Sequence, residues 1–91
     1  MKDIDNVLKD IRQIDGQADR LKNMISNAYE GYEYNGASEV IINRDKGLDR
    51  VNSSAYRIQV NSPSSPTIIA MVDEGIDHYV ATVVDAYIEN Q

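Results

Sequence analysis

Apolar residues in the first third of the chain recur three and four residues apart without interruption. This spacing is the a/d pattern of a coiled-coil heptad, and it predicts one long amphipathic helix over about residues 3–35. Asn35-Gly36 is a typical signal for the end of such a helix. The predicted seam, used as core or as an oligomer contact, consists of Ile4, Val7, Ile11, Ile14, Leu21 and Ile25, continued by Ala18, Ala28 and Tyr32.

The middle of the chain changes to the alternation of apolar and polar residues that is typical of β-strands. Two runs rich in β-branched residues, 38–43 and 55–60, are separated by a turn with Asp, Lys and Gly. We therefore predict a small β-hairpin over about residues 38–60, followed by a loop over residues 61–65. A two-stranded hairpin is only marginally stable alone, so it has to pack on a helix or pair with another chain.

The last segment, about residues 66–89, has two interpretations. Its apolar residues recur at helical spacing after Ser65 and Pro66, an N-cap and a first helical residue, which predicts a second amphipathic helix. Its Val and Ile content and its glycine also allow two strands that turn at residues 73–75. We favour the helix because four acids fall on one i, i+4 row, which strand alternation is not expected to produce: Asp73, Asp77, Asp85 and Glu89.

Together these elements predict an α+β fold of the order α-β-β-α, with two long helices and one hairpin in a single domain over residues 1–91. A chain of 91 residues buries only a modest core, and this one has no Cys to form disulfides. Association is the remaining way to stabilise so small a domain. The uncovered heptad seam therefore predicts a homodimer.

The supply of reactive groups argues against catalysis. The chain has no Cys and one His, so pairs of nucleophile and base are scarce, and no phosphate-binding or zinc-protease motif occurs. Glu74 and His78 share one face of the predicted helix and are the candidate ligands for a divalent ion. A metal site needs three or four fixed ligands, so we expect an exposed polar face there. The prediction is a non-enzyme without metal or cofactor.

Hydropathy and the first residues indicate the compartment. No apolar run approaches the roughly 20 residues that a membrane span needs. The N-terminus carries Asp3 and Asp5 where a signal peptide has bases and an apolar stretch. We therefore expect a cytoplasmic protein with no membrane contact.

Charge is unevenly distributed along the chain, which has a net charge of -6. Residues 66–91 contain five acids and no base. Carboxylates spaced along a rigid helix can imitate a phosphate backbone and occupy a basic, nucleic-acid-binding groove of a larger protein. Tyrosine also suits protein interfaces. The predicted partner-binding residues are Asp73, Asp77, Asp85 and Glu89, with Tyr29 and Tyr34.

Two alternatives remain open at this point. The hairpin region is the only mildly basic part of the chain, and its bases could contact nucleic acid or a nucleotide while a tyrosine stacks on a base. These bases are Arg44, Lys46, Arg50 and Arg57. The second alternative is a structural coiled-coil adaptor.

In its small size, acidity and one-domain organisation the chain resembles many phage-encoded accessory proteins, among them anti-CRISPR and other anti-defence inhibitors. The resemblance is one of overall character and rests on no motif. It implies an inhibitor of a nucleic-acid enzyme. The leading hypothesis is therefore a non-catalytic protein-binding module that acts by stoichiometric occlusion of a larger partner.

Overall fold

A computed structural model describes residues 2–32, 39–62 and 64–89. They form a five-stranded antiparallel sheet of order β1-β5-β4-β3-β2, with two short helices packed on one face. The helices α1 and α2 span Ile4–Ile11 and Leu21–Ala28, and short 3-10 turns span Ala18–Arg20 and Lys46–Leu48. The strands β1 to β5 span Asp15–Gln17, Val40–Arg44, Ser54–Val60, Ile68–Asp73 and Val80–Ile88.

The predictions of one long N-terminal helix and of a coiled coil are wrong. After α1 ends at Ile11, residues 15–17 form an edge strand that pairs with β5. Backbone hydrogen bonds replace those of a continuous helix: Val83 N–H donates to Ile14 C=O at 2.9 Å, and Ala18 N–H donates to Tyr79 C=O at 2.9 Å. Gly16 weakens a helix at this point because glycine has low helix propensity.

The residues of the predicted seam pack in the core of the same chain. Val7, Ile11 and Ile25 are completely buried, Ile14 and Leu21 are also buried, and Ile4 packs against the same core. They cover the face of the sheet that we call the inner face, formed by alternate residues of β3, β4 and β5. No coiled-coil seam is left for a second chain.

The predicted C-terminal helix is also wrong, because residues 68–88 form the β4–β5 hairpin. The alternative with a turn at residues 73–75 is the one that forms, and Gly75 adopts a left-handed φ of 71° in this turn. Residues 68–72 are all buried because β4 is central in the sheet and covered on both faces. The predicted α-β-β-α order with two long helices is therefore replaced by a mostly β fold.

The middle segment forms a hairpin of β2 and β3, in which Val40 lies opposite Val60 and Arg44 opposite Tyr56. The other face of the sheet, which we call the outer face, buries a smaller cluster of Ala55, Ile69 and Met71 under Leu48 and Tyr87. Within the described ranges, no helix is long and apolar enough to cross a membrane.

Candidate protein-binding site

Two sets of residues that the sequence assigns to rival sites contact each other. On the outer face Arg50 Nη1 donates to Asp85 Oδ2 at 3.0 Å, and Arg57 Nη1 donates to Glu89 Oε1 at 2.6 Å. Half of the predicted acidic row is therefore neutralised by half of the predicted basic patch.

The arginines of the hairpin region are further held by nearby carboxylates and rings. Arg44 forms a two-fold contact with Asp49, with N–O distances of 2.7 and 2.9 Å, and its guanidinium lies 5.6 Å from the centre of the Tyr56 ring. Hydrogen bonds from Arg44 and from the Ala55 amide lower the pKa of Asp49. Lys46 is the one base of the four that forms no ion pair with a described residue.

Arg57 is held by two carboxylates at once. In addition to Glu89, it contacts Asp45 through Nη2 at 3.0 Å. Hydrogen bonds to Glu89 and Asp45, in that order of size, raise the pKa of Arg57 further above its usual range. A phosphate would have to displace these carboxylates before it could bind the hairpin.

The other two acids of the predicted row lie at the β4–β5 turn rather than on a helix. Asp73 Oδ1 accepts from Gly75 N–H at 2.9 Å, and Asp77 Oδ1 accepts from Tyr79 N–H at 3.4 Å. Neither carboxylate forms an ion pair with a described residue. The rigid acidic rod is therefore replaced by two acids that cap a tight turn.

Of the two tyrosines proposed as partner contacts, the structure places Tyr29 in the core, where it also borders a pocket with Tyr32 and Val40. Tyr29 is only 6% exposed and packs edge-to-face on Tyr32, with ring centres 5.6 Å apart. Burial, and to a lesser degree Tyr32, raises the pKa of Tyr29, whose hydroxyl has no hydrogen-bond partner among the described residues. Tyr34 lies outside the described residues.

Glu74 and His78 come together without forming a metal site. His78 Nδ1 lies 3.7 Å from Glu74 Oε2, and the other oxygen of Glu74 accepts from the Tyr56 hydroxyl at 2.8 Å. Desolvation, followed by the hydrogen bond to Glu74, raises the pKa of Tyr56 to about 12. In the ranges that the structure describes, no group of three or more ligand side chains is placed to hold a metal ion.

A groove of about 600 Å³ opens at the end of the sheet, between the loop of residues 49–54 and the β4–β5 turn of residues 73–79. One aliphatic residue from each segment lines it. Val51 is 98% exposed, and Ile76 is fully exposed at 102% of the reference area. Tyr79 and Val80, at and after the end of the turn, are also exposed. We call this the loop-end groove.

The loop-end groove carries an excess of negative charge. Asp49 forms an ion pair with Arg44, and Arg50 forms an ion pair with Asp85. The acids of the turn remain, and only Glu74 has a basic neighbour, the single His. The groove therefore combines two exposed aliphatic side chains with the acids Asp73 and Glu74, and Asp77 lies in the same turn outside the groove lining.

Comparison with known proteins gives no relative for this chain: no protein-family model, no curated protein and no solved structure matches it. The geometry and charge of the loop-end groove therefore carry the functional argument.

Proposed function

We propose that this protein is a non-catalytic binding module that acts by stoichiometric occlusion of a larger protein. The observation that supports it is the pair of fully exposed aliphatic side chains, Val51 and Ile76, on the two segments that form the loop-end groove. Exposed apolar side chains that share a groove with polar groups are suited to a protein contact. Binding residues are also common on loops held by a rigid scaffold, here the five-stranded sheet.

The charge of the groove supports a basic partner surface. Asp73, which lines the groove, forms no ion pair with a described residue, and the strong base in the groove lining, Arg50, is paired with Asp85. A negative patch attracts a positive one and speeds their encounter. Nucleic-acid-binding grooves of enzymes are basic surfaces of this kind, so inhibition of a nucleic-acid enzyme remains the proposed role.

A binding role rather than a catalytic one is supported by the poverty of reactive groups. The chain has no Cys and a single His. Tyr56, whose hydroxyl contacts Glu74 of the groove, donates its proton to that carboxylate in a hydrogen bond that stabilises the neutral phenol. A binding surface needs neither nucleophile nor base.

The test is capture of the partner from the host with a tagged protein, followed by mass spectrometry and a titration that gives the stoichiometry. The variant Val51→Asp/Ile76→Asp replaces both apolar side chains of the groove. The control is Val84→Asp, since Val84 is exposed on β5 but does not line the groove.

We expect the wild-type protein and the Val84→Asp control to retain one partner at equimolar ratio. The double variant should lose at least tenfold in affinity, which is a modest loss for two anchor residues. Equal capture by all three proteins would contradict the proposed role of the groove.

A further inference from the structure

The two edges of the sheet are built differently. On the β5 side, β1 pairs with the first residues of the strand, and the Arg12 guanidinium donates to Ala86 C=O at 2.9 Å farther along. On the other side, β2 pairs with β3 alone, and no residue in the described ranges pairs with its far side. Among the described residues, the far side of β5 is therefore partly covered, whereas the far side of β2 has no paired strand.

Two hydrogen bonds show which backbone groups of β2 point outward. Asn61 N–H donates to Glu39 C=O at 3.2 Å, and Asp45 N–H donates to Ala55 C=O at 3.0 Å, at the two ends of the β2–β3 pair. In an antiparallel pair such bonded positions recur every second residue. Ile41 and Asn43 therefore bond to β3. The residues with N–H and C=O directed away from the sheet are Val40, Ile42 and Arg44.

The open edge lacks the usual protection against pairing with another strand. Proteins commonly place Pro, Lys, an inward-pointing charge or a bulge on such an edge. The sequence of β2 is Val-Ile-Ile-Asn-Arg, and its register with β3 is unbroken. Its one charge, Arg44, sits at the end of the strand and is already bound to Asp49.

We infer that β2 pairs antiparallel with β2 of a second copy of this chain, which joins two sheets into one of ten strands. Pairing centred on Ile42 places Ile42 opposite its own counterpart and Val40 opposite Arg44 of the second copy. Every outward-pointing residue then meets an outward-pointing residue. On the outer face Ile41, which is 40% exposed, comes beside Asn43 of the second copy.

The self-pairing is also compatible with charge. No like charges face each other within the five-residue ladder. Just beyond it Glu39 comes opposite Asp45 of the second copy, and each Asp45 keeps its own contact with Arg57, which is shared with Glu89. A second copy can therefore supply hydrogen-bond partners to the outward N–H and C=O groups of β2. The ion pairs within each chain do not have to change.

This dimer uses a different surface from the proposed partner contact. The loop-end groove follows the end of β2 at Arg44, so an antiparallel pairing of the two β2 strands directs the two grooves to opposite ends of the joined sheet. Each copy can then bind its own partner. The inference does not rest on the proposed function, since the dimer forms without any other protein.

The first experiment measures the mass of the wild-type protein by light scattering from micromolar to near-millimolar concentration. We expect twice the chain mass of 10.2 kDa at the upper end. Over the same range, hydrogen exchange should slow at the outward amides of Val40, Ile42 and Arg44. The Ile41 amide should be protected throughout. A monomer at every concentration, or a dimer in which the Ile42 amide still exchanges fast, overturns the inference.

The matched variants are Ile42→Pro and Ile42→Val. Proline removes an N–H that β3 does not use, and edge strands tolerate proline where the N–H faces outward. We expect the proline variant to be monomeric with a cooperative thermal transition, and the valine variant to remain dimeric. A folded proline variant that still dimerises contradicts the inference. If the proline variant does not fold, hydrogen exchange at the outward amides of the wild-type protein decides whether β2 pairs with a second copy. The Val51→Asp/Ile76→Asp variant should stay dimeric, which separates the two proposals.

Discussion

Arg57 on β3 and Glu89 just beyond β5 are joined by a 2.6 Å hydrogen bond that crosses the central strand β4 on the outer face. The same guanidinium binds Asp45 before the second 3-10 turn. All three side chains are about one-third exposed or less. This cluster therefore ties the β2–β3 hairpin to the β4–β5 hairpin where solvent is partly excluded.

A double-mutant cycle measures the contribution of this contact. We expect Arg57→Met and Glu89→Gln to show a coupling free energy of about 0.5–1 kcal/mol in urea denaturation, the upper part of the range for partly exposed ion pairs. The coupling should decrease in high salt because the pair is accessible to screening ions. Additive effects of the two substitutions would show that the contact does not stabilise the fold.

The same ion pairs predict weak nucleic-acid binding. Arg44, Arg50 and Arg57 are each bound to a carboxylate. Phosphate contacts would have to replace these pairs, and the net charge of -6 opposes the approach of a polyanion. We expect no change in the fluorescence anisotropy of a labelled single-stranded oligonucleotide at micromolar protein in low salt. A salt-sensitive rise in anisotropy that Lys46→Ala and Arg50→Ala abolish would restore the nucleic-acid hypothesis.

The N-terminal pattern shows what heptad spacing can and cannot predict. It correctly indicates which residues face a core, because Ile11 ends one helix, Ile14 follows that helix, and Leu21 and Ile25 belong to the next helix, and all four join the same core. It does not show that the chain is interrupted at Asp15–Gln17, since a three-residue strand leaves the apolar spacing almost unchanged. The local spacing of apolar residues therefore predicts which residues are buried. It does not predict the pairing of β1 with β5, because that pairing joins residues that are far apart in the sequence.

The error in the last segment has a simple geometric cause. An i, i+4 spacing is an even number of residues, so acids such as Asp85 and Glu89 share a face in a strand as well as in a helix. The row of acids therefore does not distinguish the two structures. The β-branched residues of β4 and β5, with Gly75 between them, carry the stronger signal.

The loop-end groove was not predictable from the local sequence around either of its exposed apolar residues. Ile76 has the spacing of the buried stripe in the predicted helix, yet it projects from the turn. Val51 follows Arg50 in a short polar loop, and nothing local distinguishes it from a core residue. Their proximity depends on the pairing of β3 with β4, which brings Ser54 opposite Val72.

Truncation of a core side chain should destabilise the protein strongly, whereas truncation of a groove side chain should have little effect on stability. Ile25 is completely buried on α2, so Ile25→Ala should lower the free energy of unfolding by about 2–5 kcal/mol. Val51→Ala removes methyl groups from a side chain that is 98% exposed. It should change the free energy of unfolding by less than about 0.5 kcal/mol. Chemical denaturation measures both. A large loss in Val51→Ala would show that this residue is part of the folded core and not free to bind a partner.

Asp49 predicts a component of acid sensitivity. Its pKa in the folded protein is lowered by Arg44 and the Ala55 amide, so the ionised carboxylate stabilises the fold. This stabilisation is complete above the unfolded pKa of about 3.9 and is lost as the pH falls through the lower, folded pKa. Asp49→Asn should therefore be less stable than the wild type at neutral pH, and the difference should shrink in acid.

The measurement for Asp49 is urea denaturation from neutral pH down to acid for the wild type, Asp49→Asn and Arg44→Gln. Both variants should depend less on pH than the wild type, and Asp49→Asn should depend least, since the Ala55 amide still lowers the pKa of Asp49 in Arg44→Gln. A difference between wild type and Asp49→Asn that stays constant into strong acid would mean that the carboxylate charge is not what stabilises this loop.

His78 has a backbone conformation that its side chain does not favour. Its φ is 61°, and it is the one non-glycine residue in the described ranges with a positive φ. An L-residue in the left-handed region costs about 1–2 kcal/mol, and glycine avoids this cost while losing up to about 1 kcal/mol of chain entropy on folding. We expect His78→Gly to raise the free energy of unfolding by about 0.5–1 kcal/mol.

Thermal and urea denaturation measure this change in stability. The control is Gly75→Ala in the same turn. Its φ is 71°, and a Cβ there would lie 3.1 Å from Val80 Cγ2, so this substitution should destabilise the protein. Opposite effects at the two positions would show that the turn has a fixed left-handed backbone and that His78 is a source of strain at the edge of the groove. If His78→Gly destabilises the protein instead, the imidazole holds the turn through contacts worth more than the backbone strain, because glycine removes both together.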